Sequence, residues 1–325
     1  MFHDVQTANR WRSVLLLGFS FALLVGVGAA ISYSFDAGFA GLLIAVVVAV
    51  TSTWSAYWNS DKVALRITGA RQVDETTHPQ LVNVVQEMRL ASGLPMPKVA
   101  VIEDPAPNAF ATGRDPDHAT VAVTTGLLER MNREQLQGVL AHELAHVGNR
   151  DTLVATLAVT IAGTLTILCD LAWRMSAFGG STSRRRSNDS GGQLQAILLV
   201  VAVVAIVLAP VAAQLLHAAV SRRREQLADA TAVAYTRNPA GLRSALEVLQ
   251  QDSTVVRHTS RATAHLWIES PLDRDRSMWN RLFDSHPPLA ERIAVLQGME
   301  RTAPGAQTAA PPSVPPSASS AWPVV

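Results

Sequence analysis

Long apolar stretches alternate with amphipathic ones along this chain. Residues 14–31 contain no charged side chain, and as a helix they would extend about 27 Å, close to the thickness of a bilayer's hydrocarbon core. A second charge-free run, residues 38–58, closes on Trp54, Tyr57 and Trp58, aromatic side chains suited to a membrane interface. Arg10 and Arg12 precede the first run, as they would in a signal peptide. However, that run is long for a cleaved segment and the second follows at once, so residues 1–58 read as an uncleaved hairpin anchor. Two further runs, residues 153–173 and 194–216, form a second hairpin. The first of these is charge-free until Asp170, and the other carries Pro210 and Gln214. Their lengths favour membrane insertion over burial as core helices.

Between the hairpins the periodicity changes. Residues 79–90 space their apolar positions as a helix does, with Gly93 and Pro95 to stop it. Residues 98–103 and 119–125 alternate like strands. Residues 108–113 are a third short extended candidate, and Arg114 to His118 reads as the turn that follows. Residues 134–148 are helical, as are 240–250 beyond the second hairpin. From Thr302 onward Pro, Ala and Ser dominate without periodicity, so residues 302–325 read as a disordered tail. The soluble part is thus split in two, residues 59–152 and 217–301.

Charge sets the expected orientation. Arg10 and Arg12 lie before the first run, and Lys62, Arg66 and Arg71 follow the second. The connection at residues 32–37 has no Lys or Arg. The positive-inside rule puts the N-terminus and the soluble part in the cytoplasm. The second hairpin departs from the rule, because its Gly- and Ser-rich connection holds Arg174 and Arg184, Arg185 and Arg186. Either that loop is exported against the rule or the hairpin re-enters without crossing fully. With 48% hydrophobic residues, 16% charged residues and a net charge of +1, nothing points to nucleic acid. The single cysteine, Cys169, lies in an apolar run and reads as a packing residue.

The candidate chemistry sits in the helix at residues 134–148. His142 and His146 are one helical turn apart, so both imidazoles can reach one metal ion. Glu143 lies between them, placed to take a proton from an attacking water. This H-E-x-x-H pattern also arises by chance on exposed helices, and a catalytic zinc needs a third protein donor. Ser221 to Asp229 follows the last apolar run without a helix breaker and offers Glu225 and Asp229 on one face. One carboxylate can ligate while the other accepts the free N–H of a ligating histidine. The alternative is that both pair with Arg222, Arg223 or Arg224 on a solvated face.

Three motifs in this order resemble the HtpX family of membrane-embedded zinc metalloproteases, distantly similar to the CAAX prenyl proteases. They are residues 141–151, residues 221–229, and Pro107-Asn108-Ala109-Phe110-Ala111-Thr112-Gly113. The resemblance covers about residues 10–300. It implies one Zn²⁺ per chain held by His142, His146 and Glu225, with Glu143 as general base and Asp229 supporting a ligand. Gln226 departs from the family, which commonly has an aromatic residue there, and this bears on packing around the ligand helix. The same resemblance makes Asn108, Ala109, Phe110, Ala111, Thr112 and Gly113 an edge strand that pairs with substrate; an ordinary interior strand is the alternative. His286 begins a His-Pro motif with Arg292 downstream. It is a candidate for oxyanion stabilisation or for the open metal position, against a plain capping or surface role. His78, His118, His217, His258 and His265 have no partner motif.

The implied protein is α+β and mainly helical. It is an integral, multi-pass cell-membrane protein with four hydrophobic helices and a zincin-like catalytic domain facing the cytoplasm. Its partners would be the lipid bilayer and polypeptide substrates, chiefly misfolded or damaged membrane proteins, in the manner of a stress-response protease. Two alternatives remain. A CAAX-type protease acting on lipidated C-termini is disfavoured by four spans in place of a larger membrane chamber. A non-catalytic scaffold is disfavoured by the intact Glu143. Neither oligomeric state nor cleavage preference is legible.

Overall fold

Beginning at Gly38, a run of side chains with nothing to interrupt it forms one long helix, α1 (Gly38–Thr68). The computed structural model describes residues 38–154, 222–252, 254–256, 267–268 and 287–302, with scattered positions between Thr7 and Ser32. The chain divides into two compact units. One holds Met1–Ser60 with Leu153–Ala219, the other Asp61–Thr152 with Val220–Val325.

In the first unit, Gly38–Asn59 of α1 is long and apolar enough to cross a membrane, and almost none of it is buried. Phe39, Leu43, Ile44, Val47 and Val48 are each more than half exposed. Such a stripe is unfavourable in water and suited to lipid. Trp54 and Tyr57 both pack on Trp58 at the polar end of this stretch, with ring centroids 5.7 and 5.6 Å away. The run at residues 14–31 is represented by a shorter apolar helix, Ser13–Gly26. Of the four expected hydrophobic helices, the described residues therefore contain one of spanning length. The second hairpin lies outside the described residues except for Leu153 and Val154, as does the tail beyond Thr302. α1 ends in a Schellman motif: Gly69 adopts a left-handed conformation (φ 69°), Ala70 N–H donates to Leu65 O, and Gly69 N–H donates to Arg66 O.

The second unit is built on a four-stranded mixed sheet. Its strands are β1 (Arg71–Val73), β2 (Lys98–Ile102), β3 (Ala109–Gly113) and β4 (Ala119–Thr124), in the order β1-β2-β4-β3. β2 and β4 run parallel, and the two outer strands are antiparallel to their neighbours. Between β1 and β2 lies α2 (Pro79–Ser92), with Pro79 in its first turn and left-handed Gly93 at its end. A 3₁₀ turn (Pro116–His118) links β3 to β4, where His118 donates to Asp115. β4 runs directly into α3 (Thr125–Arg130), capped by the Thr124 hydroxyl.

Val99, Val101, Ala109, Ala111, Val121 and Val123 share one face of the sheet and enter the main core. They are joined there by Leu81 and Val85 of α2 and by Leu136, Leu140 and Leu144 of the next helix, α4 (Arg133–Gly148). The opposite face is buried as well, with Phe110 packed edge-on against Trp267 at 4.9 Å. Strands buried on both faces explain the nearly continuous apolar runs of β2 and β4. α5 (Arg222–Thr236) and α6 (Pro239–Gln251) pack on α4, and α7 (Leu289–Thr302) packs on α6. The elements expected around residues 79–90, 98–103, 108–113, 119–125, 134–148 and 240–250 are all present, each within two residues of its expected bounds.

Candidate metal centre

α4 is started firmly and then buried almost throughout. Asn132 accepts from the Gln135 N–H while Gln135 Oε1 accepts from the Asn132 N–H, a reciprocal box that uses donors the first turn leaves free. Arg133 and Gln137 both hold Glu87 of α2. Ten residues of α4 are buried, including His142 and Glu143, so the pair of histidines does not lie on a solvated surface.

α5 presents Glu225 and Asp229 to that helix. His142 Nε2 lies 3.2 Å from His146 Nε2, and Glu225 lies 3.5 Å from each of them, through Oε2 and Oε1 respectively. Zinc takes imidazole nitrogen and carboxylate oxygen at about 2.0–2.2 Å, which spaces tetrahedral donors about 3.3–3.6 Å apart. The two Nε2 atoms and the Glu225 carboxylate, which turns a different oxygen to each imidazole, thus have the donor chemistry and close spacing that fit a three-residue zinc site.

Each imidazole is backed by a carboxylate, and each carboxylate by an arginine. His142 Nδ1–H donates to Asp229 Oδ1 at 2.9 Å, while Arg292 of α7 donates to both Asp229 oxygens at 2.6 and 3.0 Å. His146 Nδ1–H donates to Asp151 Oδ2 at 3.1 Å, and Arg224 Nη1 donates to Asp151 Oδ1 at 3.3 Å. With Nδ1 engaged in this way, both Nε2 atoms face the common point.

The electrostatics follow from this packing. Burial raises the Asp229 carboxyl, but Arg292 and the bond from His142 outweigh it and hold the group well below the usual carboxylate range. For His142, burial and the Arg292 charge lower the pKa, whereas bonds to Asp229 and Glu225 raise it, to about 9 overall. Burial likewise opposes the charge on Arg292, and Asp229, Glu225 and Glu143 restore it.

Asn108 to Gly113 form the edge of the sheet beside α4, with the strand itself starting at Ala109. Thr124 N–H donates to Asn108 O, so by alternation Ala109, Ala111 and Gly113 turn their backbone groups away from β4. Ala109 O already accepts from Ile268 N–H at 2.9 Å, and all five strand residues are buried. Asn108 braces the strand's start, its side chain accepting from Ala109 N–H. His286 lies outside the described residues, as do His217, His258 and His265. Gln226 is exposed on the ligand-bearing helix.

Three residues of this network have roles that spacing does not announce, although Asp151 and Arg224 lie within the segments 141–151 and 221–229. Asp151 is five positions from His146, the wrong side of an unbroken helix, and becomes eligible only because Gly148 and Asn149 end α4. Arg224 belongs in sequence to an arginine triplet of solvated character, yet it is buried. Arg292 is marked only as the arginine downstream of His286.

Residues 75–300 match the model of Peptidase family M48. The chain is 41% identical over 300 residues to a Protease HtpX homolog of Streptococcus gordonii, covering 92% of this chain and all of that relative. It is 40% identical over 297 residues to a Protease HtpX homolog of Thermoanaerobacter pseudethanolicus, covering 91% and 97% of the two chains. A crystal structure of Ste24p from S. mikatae aligns with TM-score 0.44 at 14% identity, over 90% of this chain and 66% of that one.

Proposed function

The chain belongs to Peptidase family M48 as a metalloprotease of the HtpX type, and from that premise we propose that His142, His146 and Glu225 hold one catalytic Zn²⁺ with Glu143 as the general base. The observation that carries this reading is the convergence of the two Nε2 atoms, 3.2 Å apart, with the Glu225 carboxylate, whose two oxygens each lie 3.5 Å from one of them. When bound, zinc supplies a Lewis acid that polarises the scissile carbonyl and makes the attacking water more acidic. Glu143 takes the proton from that water and delivers it to the departing amine. Asp229 and Arg292 keep the His142 ring turned so that Nε2 faces His146 and Glu225. The backbone groups of Ala111 and Gly113, directed away from β4, pair with an extended substrate next to the site. Such pairing is largely indifferent to substrate side chains, which suits a protease of broad selectivity.

The finer reading concerns place and substrate. α1 supports membrane attachment, and the arginine and lysine distribution supports a catalytic part facing the cytoplasm. We assign four spans, two in residues 1–58 and two in 153–216, with the catalytic domain assembled from 59–152 and 217–301. Substrates are misfolded or damaged membrane proteins, cut in their cytoplasmic regions. His286 remains a candidate for stabilising the oxyanion.

The test is proteolysis in membranes by the wild type and by Glu143→Gln, with zinc measured in both. The variant is expected to retain zinc and lose about 10²- to 10⁴-fold in rate. Undiminished cleavage by Glu143→Gln, with contaminating protease excluded, overturns the mechanism.

A further inference from the structure

We infer that Asp151 and Arg224 are positioning residues for the second zinc ligand, forming a clasp that fixes the His146 ring from outside the H-E-x-x-H motif. The inference rests on the zinc reading above and extends it to residues with no role in that reading.

The backbone is bent to make this contact. In an unbroken helix, Asp151 would lie about 140° around the axis from His146, out of reach. Instead, Asn149 N–H donates to Ala145 O, Arg150 N–H donates to Val147 O, and Arg150 takes a left-handed conformation with φ 60°. For a residue with a side chain that conformation costs about 1–2 kcal/mol. The bend turns the Asp151 carboxylate back onto His146 Nδ1 at 3.1 Å. Arg224 then arrives from α5, one position before Glu225, and bonds the other carboxylate oxygen at 3.3 Å. Both side chains of this ion pair are more than nine-tenths buried. Arg292 and Asp229 do the same for His142, so the two ligands are held by parallel devices built from different elements. The clasp also lies at the two ends of the chain's second apolar hairpin in sequence. A ligand's orientation therefore depends on both ends of that segment being brought together.

Positioning of this kind appears in metal affinity and ligand-field geometry. The experiment measures zinc dissociation constants by chelator competition, and visible spectra after Co²⁺ substitution, on full-length protein in detergent. Wild type is compared with Asp151→Ala, Asp151→Asn, Arg224→Met and Arg224→Lys, each normalised to folded protein by far-UV circular dichroism. Asp151→Ala is expected to weaken zinc about 10- to 100-fold and to alter the Co²⁺ bands. Asp151→Asn, which keeps an acceptor, should fall between Asp151→Ala and wild type, and Arg224→Lys should recover part of what Arg224→Met loses. Wild-type affinity and an unchanged Co²⁺ spectrum in Asp151→Ala would overturn the clasp while leaving the zinc reading intact. A wild-type protein that binds no zinc would instead overturn the reading itself. If Asp151→Ala does not fold, the Asp151→Asn and Arg224 spectra decide, and spectra identical to wild type in all three count against the clasp.

Discussion

Gly138 and Gly148 lie on the same helix, α4, and the same substitution should act on them in opposite directions. A Cβ at Gly138 would lie 2.7 Å from both the Cα and the N of Leu242, backbone atoms of α6. The approach is mutual, since a Cβ at Gly241 would lie 2.8 Å from Glu134 O. Backbone has no rotamer to yield, so Gly138→Ala must push the two helices apart by about 0.7–1 Å to reach ordinary contact. Overpacking of this kind costs about 1–3 kcal/mol, against a gain of about 0.5–1 kcal/mol from replacing a helical glycine by alanine. The net expectation is a loss of up to about 2.5 kcal/mol. At Gly148 the nearest neighbours of a Cβ are the Leu94 side chain and the Tyr235 hydroxyl, both at 3.6 Å, so the clash vanishes and the gain remains. Gly148→Ala should therefore match or exceed wild type. The shift at Gly138 also reaches the site: α6 is tied to α7 by the 2.6 Å bond from Arg243 to Glu300, and α7 carries Arg292. Misplacement by about 1 Å can cost about 10² in rate, so activity should fall more than stability. Thermal or denaturant unfolding of the three purified proteins in detergent, with specific activity alongside, tests this. A Gly138→Ala protein as stable as Gly148→Ala would refute the backbone-contact argument.

Three further outcomes can be checked. Asp229→Ala strands the buried Arg292 guanidinium, which should cost about 3–5 kcal/mol in unfolding free energy and weaken zinc about 10- to 100-fold; a neutral result would show that Glu225 and Glu143 suffice as counter-charges. Removing zinc with a chelator should lower the thermal midpoint, since an ion present at 1,000 times its dissociation constant contributes about 4 kcal/mol; an unchanged midpoint in protein shown to be metal-free would argue against a site that bridges α4 and α5. Asn132→Ala removes the cap of α4 and should cost about 0.5–2 kcal/mol by denaturant unfolding, with Asn132→Ser recovering most of it.

Features that depend on spacing within one element are legible in the sequence. The four-residue step from His142 to His146, and again from Glu225 to Asp229, is enough by itself to place each pair on one helical face. α1, α2, β2 and β4 are likewise readable from apolar periodicity and from stops such as Gly93. β1 is not, because Arg-Gln-Val is three residues long and mostly exposed. α3 has only six residues and is set mainly by its Thr124 cap and by the fit of Gly126 against Pro105, neither of which creates a periodic signal. Asp151 and Arg292 escape for a different reason. One depends on a left-handed residue that reverses which side of the chain a carboxylate faces. The other depends on α7 packing on α6, which brings together residues about 150 positions apart.

Those separations also impose a schedule on the molecule. His142 and His146 leave the ribosome together, but Glu225 follows about 80 residues later and Arg292 later still. At synthesis rates of about 5–20 residues per second, the helix with the proton acceptor exists for roughly 4–16 s before the third donor has been made. Throughout that interval the nascent chain lacks Glu225 of the proposed ligand set. On the proposed ligand set, peptide-bond hydrolysis therefore waits on the synthesis of the segment that carries Glu225.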